Sequence, residues 1–350
     1  MMEHRTPAGR LRVALSALFS IFLVATFGPA LSQSNEVVVT LPGGTLEKVL
    51  RKSWVEPFEK IHKGKAIVTT GLTMENLAKL RAQKGNPKVD VVIFDPPGAI
   101  PAANEDLTEE LDPERIPNLK DQYPWEIQKH RRFATQWLSN QVLAYNTQFV
   151  KEPPKSWADL WKPEYKGKVA LPDIGTSHGL FFVSIVSKMQ SGDLYNTDAA
   201  FAKLQTLKPN VLTFWTSHDQ LAQLLNSGEV WIAPWTADRA MSQTAAGAPV
   251  ALTVPSEGAI FFTSHIAIAK GSPNKALAEK YIDVAISQEA QMINAQEAFL
   301  APANAKVTLT GTLADNLAYG ERLKQLIAPD WGKLDQLRNE WTERWNRQIR

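Results

Sequence analysis

Four short turns concentrate the side chains that could recognise a small charged solute. Asp95 follows the apolar run Val89 to Phe94 and precedes Pro96-Pro97. At a strand end its carboxylate could face a ligand, or it could cap its own turn. Thr176 and Ser177 lead into a helical stripe, where free N–H groups hold a polar group or are simply capped. Trp215 and Trp235 each stand where an apolar run ends. Aromatic faces sandwich aliphatic chains and attract ammonium groups; interior packing is the competing reading. Asp238 and Arg239 follow Trp235 directly. The acid would compensate a buried ammonium, and the guanidinium would hold a carboxylate in a bidentate pair. The competing reading has Asp238 capping the next helix and Arg239 paired with a protein acid. Thr45 closes the turn Pro42-Gly43-Gly44-Thr45. Trp137 and Ser139 lie near a first crossing between two strand sets. Glu257, before Gly258, lies near the return crossing, where a hinge salt bridge competes with a ligand contact. These residues together point to a small amine, either a polyamine or a short ω-amino acid. Arg239 complicates a pure polyamine reading, because it would repel a second ammonium but could hold a carboxylate.

Other chemistries lack their residues. Ser217-His218-Asp219 has the letters of a catalytic triad, but a triad needs groups converging from separate segments, and no Gly-x-Ser-x-Gly elbow is present. His62, His130, His178, His218 and His265 are far apart in sequence, without the spacing of a metal site. Gly43-Gly44 is not followed by a third glycine at nucleotide-binding spacing. Neither a cofactor nor a metal is expected, and the protein reads as a binder rather than an enzyme.

The elements that must position these turns alternate. Val37-Val38-Val39 reads as a buried strand. Leu46, Leu50, Trp54 and Phe58 form a helical stripe. A strand at Ala66 to Thr69, a short helix with Leu77 and Leu80, and a strand at Val89 to Phe94 follow. This β-α-β-α-β order predicts a parallel sheet with helices on both faces, whose ligands gather at the carboxyl ends of the strands. Residues 105–130 read as a surface excursion. A second set begins near Phe133, with strands at Val142 to Tyr145, Val169 to Leu171, Val211 to Trp215 and Val230 to Ala233. Ser217 and Gln220 have capping-box spacing for a helix that stops at Gly228. Ala259 to Ala269 is the last long strand, Lys275 to Ile286 a helix, and Leu334, Leu337, Trp341, Trp345 and Ile349 the apolar face of a tail helix.

Charge and length bound the answer further. The 350 residues carry Lys+Arg 38 against Asp+Glu 36. Three of those cations and one anion fall in residues 1–32, leaving 35 of each and a neutral body that does not suit a nucleic-acid partner. There is no cysteine. Arg5, Arg10 and Arg12 precede an apolar run from Val13 to Phe27, and Ala30-Leu31-Ser32 follows it. That order predicts a cleaved signal peptide over residues 1–32 and a mature, exported protein starting near Gln33.

From Asn35 to about Asn346 the chain resembles the periplasmic solute-binding proteins of ABC importers, in the spermidine/putrescine-binding-like branch of the type II group. The resemblance rests on Val37-Val38-Val39 with its Gly-Gly turn and on the segment Ser156-Trp157-Ala158-Asp159-Leu160-Trp161-Lys162-Pro163-Glu164-Tyr165-Lys166-Gly167-Lys168-Val169. It rests also on Gly228 to Ala233 and Gly271 to Ala278. It implies an α/β fold of two lobes, each a mostly parallel sheet flanked by helices, with the ligand cleft between them. It also implies a monomer that hands a small-molecule solute to a membrane permease. The expected lobes are residues 33–133 plus 261–350, and residues 134–260, with the tail helix on either. Thiamine, a sugar derivative or a metal remain alternative cargoes for such a fold, and a secreted hydrolase a more distant alternative.

Overall fold

A computed structural model describes residues 35–123 and 131–350. The expected signal peptide and its cleavage point lie outside the described residues, as does part of the 105–130 excursion.

Among the described residues nine strands form one mixed sheet: β1 Glu36–Leu41, β2 Lys65–Thr70, β3 Val91–Phe94, β4 Ala134–Asn146, β5 Val169–Pro172, β6 Val211–Trp215, β7 Ile232–Thr236, β8 Val250–Thr253 and β9 Ile260–Ile268. Their order is β2-β1-β3-β9-β4-β7-β5-β6, with β8 paired to β4. At one end β1 runs parallel to both β2 and β3; at the other β5 runs parallel to both β6 and β7. The two parallel groups are joined through antiparallel β9 and β4.

Side-chain alternation explains the layers. Val91 and Ile93 face a core with Trp54, Phe58 and Tyr281, whereas Val92 and Phe94 face another with Leu77, Leu80 and Ala99. Helices therefore cover both faces, as the β-α-β-α-β order requires. The second group is built alike: Val169 and Leu171 pack on the Ser177–Ser191 helix, while Ala170 packs with Trp215, Leu221 and Trp235. The stripe Leu46, Leu50, Trp54, Phe58 is buried throughout. Its strict four-residue spacing would drift around a regular α-helix. A π-helical turn at Arg51–Val55, between α-helices Gly44–Leu50 and Glu56–His62, widens the winding and keeps the stripe in line.

Two strands run well past the apolar runs read in the sequence. β7 continues through Pro234 and Trp235, opposite Leu143 and Val142, rather than stopping at Ala233. β4 begins at Ala134, eight residues before Val142, and is buried along its whole length. Its polar residues Thr135, Gln136, Ser139, Asn140 and Gln141 hide the strand signal. β9 pairs along this half of β4, Ala301 bridges to Leu138, and the strand lies in the middle of the sheet. The tail helix, Trp331–Gln348, lays Leu334, Trp341 and Trp345 on the core of the second group.

Candidate functional site

A cavity of about 260 Å3 opens between the two parallel groups. Each of the parallel strands ends on it or just beside it. Pro42 follows β1, Gly71 to Glu75 follow β2, and Asp95 follows β3. Asp173 and Gly175 to His178 follow β5, Trp215 and Thr216 end β6, and Thr236, Asp238 and Arg239 end β7. The joining strands supply Trp137, Phe262 and Ser264. The site thus lies where strands give way to helix N-termini, with their unpaired N–H groups.

Asp95 takes the N-cap position of the Pro96–Asn104 helix, yet its side chain makes no capping bond. Instead its carboxyl sits among the hydroxyls of Thr73, Ser177 and Ser264. Burial pushes it up to about 6, against the pull of Ser177 and Thr73, with the nearby Asp238 charge adding to the rise. Asp238 is raised too, chiefly by burial, while Arg239 and the Ser139 hydroxyl oppose the shift. Ser139 Oγ donates to Asp238 Oδ1 at 2.5 Å. Thr236, not Asp238, is the N-cap of the Ala237–Ala245 helix.

Arg239 is almost as buried as Asp238, with side-chain exposures of 10% and 8%. Its Nε lies 3.7 Å from Asp238 Oδ2, too long for a hydrogen bond. Burial lowers its pKa, and Asp238 and Asp219 raise it. The guanidinium is charged throughout, and its fork of donors is free to meet an anion. Trp215 Nε1–H, which can only donate, is buried on the same wall without a protein acceptor.

Two histidines complete the aromatic wall. Burial, with Arg239 beside it, pushes His178 down to about 3; burial, Arg239 and His178 together hold His218 well below its ordinary value. Both rings are neutral. Trp235 Nε1 donates to His218 Nδ1 at 2.9 Å, which leaves the ring proton on Nε2. His178 lies 5.5 Å from the Trp215 ring and 5.6 Å from the Phe262 ring.

Of the residues singled out in the sequence, Asp95, Trp137, Thr176, Ser177, Trp215, Asp238 and Arg239 line this cavity. Thr176 is also a cap: its Oγ1 accepts from Gly179 N–H at 3.2 Å. Thr45 and Trp235 line a smaller adjoining space, shared with Asp238 and Arg239. Ser139 stands behind Asp238 rather than on the wall. Glu257 is the correction. Its carboxylate accepts from Ser156 Oγ at 2.5 Å and from Trp157 N–H at 3.3 Å, so it braces the Trp157 turn outside the cavity and forms no hinge salt bridge. The cap reading of Ser217 holds, with Oγ accepting from Asp219 N–H, but Gln220 reaches back to Thr216 N–H rather than Ser217. His178, His218, Thr73 and Ser264 were missed. The histidines belong to the very turns already noted; Thr73 and Ser264 carry no local signal.

Among the described residues no group of three or more His, Asp or Glu side chains could hold a metal ion. No described helix is long and apolar enough to cross a membrane.

Comparison with known proteins gives one consistent answer. The family model described as bacterial extracellular solute-binding protein matches residues 86–336. A gamma-aminobutyric acid-binding protein of Pseudomonas aeruginosa is 30% identical over 305 residues, covering 84% of this chain and 83% of that one. Spermidine/putrescine-binding periplasmic protein 1 of Haemophilus influenzae is 27% identical over 260 residues, 71% of this chain and 68% of its own. The crystal structure of an ABC transporter protein from Clostridium perfringens superposes with a TM-score of 0.70 at 28% identity, covering 90% of this chain and 100% of that one.

Proposed function

The chain belongs to the family of bacterial extracellular solute-binding proteins, and from that premise we propose that its cavity captures a short ω-amino acid for an ABC importer. The observation that carries this reading is the sharing of one cavity by the buried acids Asp95 and Asp238 and by the Arg239 guanidinium, which has no hydrogen-bonded partner. An ammonium entering this space meets the acids, which burial alone leaves costly to ionise. The carboxylate of the solute takes the forked donors of Arg239 and the Trp215 Nε1–H. The methylenes between lie against Trp137, Trp215 and Phe262. A diamine would satisfy the acids but leave a second ammonium beside Arg239.

The relatives support both ends of this reading, since one is a gamma-aminobutyric acid binder and another binds spermidine and putrescine. The reading is binding without turnover, in the periplasm, followed by delivery to a membrane permease. It includes two lobes closing on the solute, one centred on β1, β2 and β3, the other on β5, β6 and β7. Calorimetry with gamma-aminobutyrate, 5-aminovalerate, β-alanine and putrescine tests the ligand. The ω-amino acids are expected to bind and be recovered unchanged, Asp238→Ala to weaken every amine, and Arg239→Ala to weaken the carboxylate-bearing ones alone. Putrescine binding tighter than any ω-amino acid in the wild type would hand the site to polyamines.

A further inference from the structure

The tail helix makes a contact that the cavity itself does not explain. Its apolar face is seated on the second strand group, where Trp345 packs 5.4 Å from Phe214, Trp331 packs 5.4 Å from Phe181, and Trp341 Nε1 donates to Thr197 Oγ1 at 3.0 Å. From that seat Arg338 reaches across to the first group. Its guanidinium donates to the carbonyl of Pro97 and, at 3.0 Å, to Met74 Sδ. Both acceptors belong to first turns of helices that begin at the cavity: Met74 lines it, and Pro97 lies two residues past Asp95. The Arg338 side chain is only 14% exposed, and Asp335, one turn earlier on the same helix, balances its charge at 2.9 Å.

We propose that Arg338 is a positioning residue for solute capture, a clasp that joins the tail helix of one lobe to the back of the Asp95 turn on the other and thereby slows solute release. This rests on the two-lobe closure proposed above. A buried, charge-assisted hydrogen bond whose acceptor lies on a moving partner contributes only while the two are together. Its loss therefore accelerates separation and leaves encounter unaffected. The prolines at 96 and 97 stiffen the Asp95 turn, so a hold on the Pro97 carbonyl is transmitted to the carboxylate that meets the ammonium. Arg344 supplies an internal control. It lies on the same helix but pairs with Asp198 of its own lobe, at 2.7 Å.

The test has two arms. In the first, stopped-flow tryptophan fluorescence follows gamma-aminobutyrate binding to wild type, Arg338→Gln, Arg338→Lys and Arg344→Gln. Arg338→Gln is expected to release the solute about tenfold faster with an unchanged association rate, Arg338→Lys to recover part of the loss, and Arg344→Gln to match wild type. An unchanged release rate in Arg338→Gln, or an equal rise in Arg344→Gln, overturns the proposal. The second arm needs no solute. The chain has no cysteine, so Lys60→Cys and Lys166→Cys, both at exposed positions, take spin labels on the two lobes. The short-distance population of the otherwise wild-type protein is expected to shrink when Arg338→Gln is added. Its absence from wild type, or its persistence in the variant, also overturns the clasp. If wild type fails to bind gamma-aminobutyrate, the ligand reading fails alone, and the distance measurement still decides the clasp.

Discussion

In the proposed reading, protonation and solute binding would meet at Asp95. Burial raises its pKa from the ordinary 3.8 to about 6. The fold holds the Asp95 proton more tightly than the unfolded chain does, so this group's contribution to stability is complete below about 3.8 and is lost as pH rises through about 6. Solute binding runs the other way, because an ammonium selects the carboxylate. Affinity for gamma-aminobutyrate should be full above about pH 6 and fall up to about tenfold per unit below it. Asp238, raised as well, would steepen the fall; His178, neutral down to about 3, stays out of it. Calorimetry at pH 5 and 7.5 checks this, with Asp95→Asn expected to bind weakly at both and to keep only the shallower pH dependence that Asp238 contributes. A flat wild-type profile would remove Asp95 from the ammonium contact. Glu257 gives the opposite expectation. Glu257→Gln weakens the bracing of Ser156 and Trp157 and should cost about 1 kcal/mol of stability in a urea melt, with solute affinity unchanged.

At the scale of elements, the turn after β1 and the tail helix are the informative ones. Gly44 has φ +72, and a Cβ there would lie 2.2 Å from a carboxylate oxygen of Asp219, in the first turn of the His218–Ser227 helix on the opposite group. Gly44→Ala therefore strains its own backbone and forces the exposed Asp219 side chain out of its place beside the turn. Solute affinity should fall at least tenfold, and Asp219→Ala added to it should restore the part due to overlap. Titrations of both single variants and the double variant separate the two contributions. The tail helix is held by large buried rings. Trp345→Ala should destabilise the protein by about 3–5 kcal/mol in a denaturant melt, an effect far larger than that of any exposed position on the same helix.

For the whole molecule, closure and linkage give measurable consequences. Small-angle scattering should show compaction on saturation with solute, once co-purified ligand has been removed. An unchanged profile would count against lobes that move. A solute at 100 times its Kd should add about 2.7 kcal/mol of stability, so a thermal-shift panel ranks candidate cargoes without knowing the site.

How far the sequence reaches depends on the range of the interactions involved. Strands with continuous apolar runs, such as Val37-Val38-Val39, and helices with regular stripes, such as the one ending in Trp345, declare themselves because their pattern repeats over neighbouring residues. The same is true of the strand-end turns, so Asp95, Trp215, Asp238 and Arg239 were legible as one class of site. What those acids do was not legible: capping and ligand binding use the same residue types in the same turns. Only the fold shows that Asp95 caps nothing and that Arg239 stands 3.7 Å from its nearest acid. β4 was only partly visible for a related reason. Its polar first half pairs with β9, which comes from more than a hundred residues away. Thr73 beside Asp95, His178 beside Trp215, and Arg338 behind Pro97 are likewise neighbours across long stretches of chain. Local periodicity is written into the sequence; the surroundings of a buried charge are set by which distant segments the sheet order brings against it.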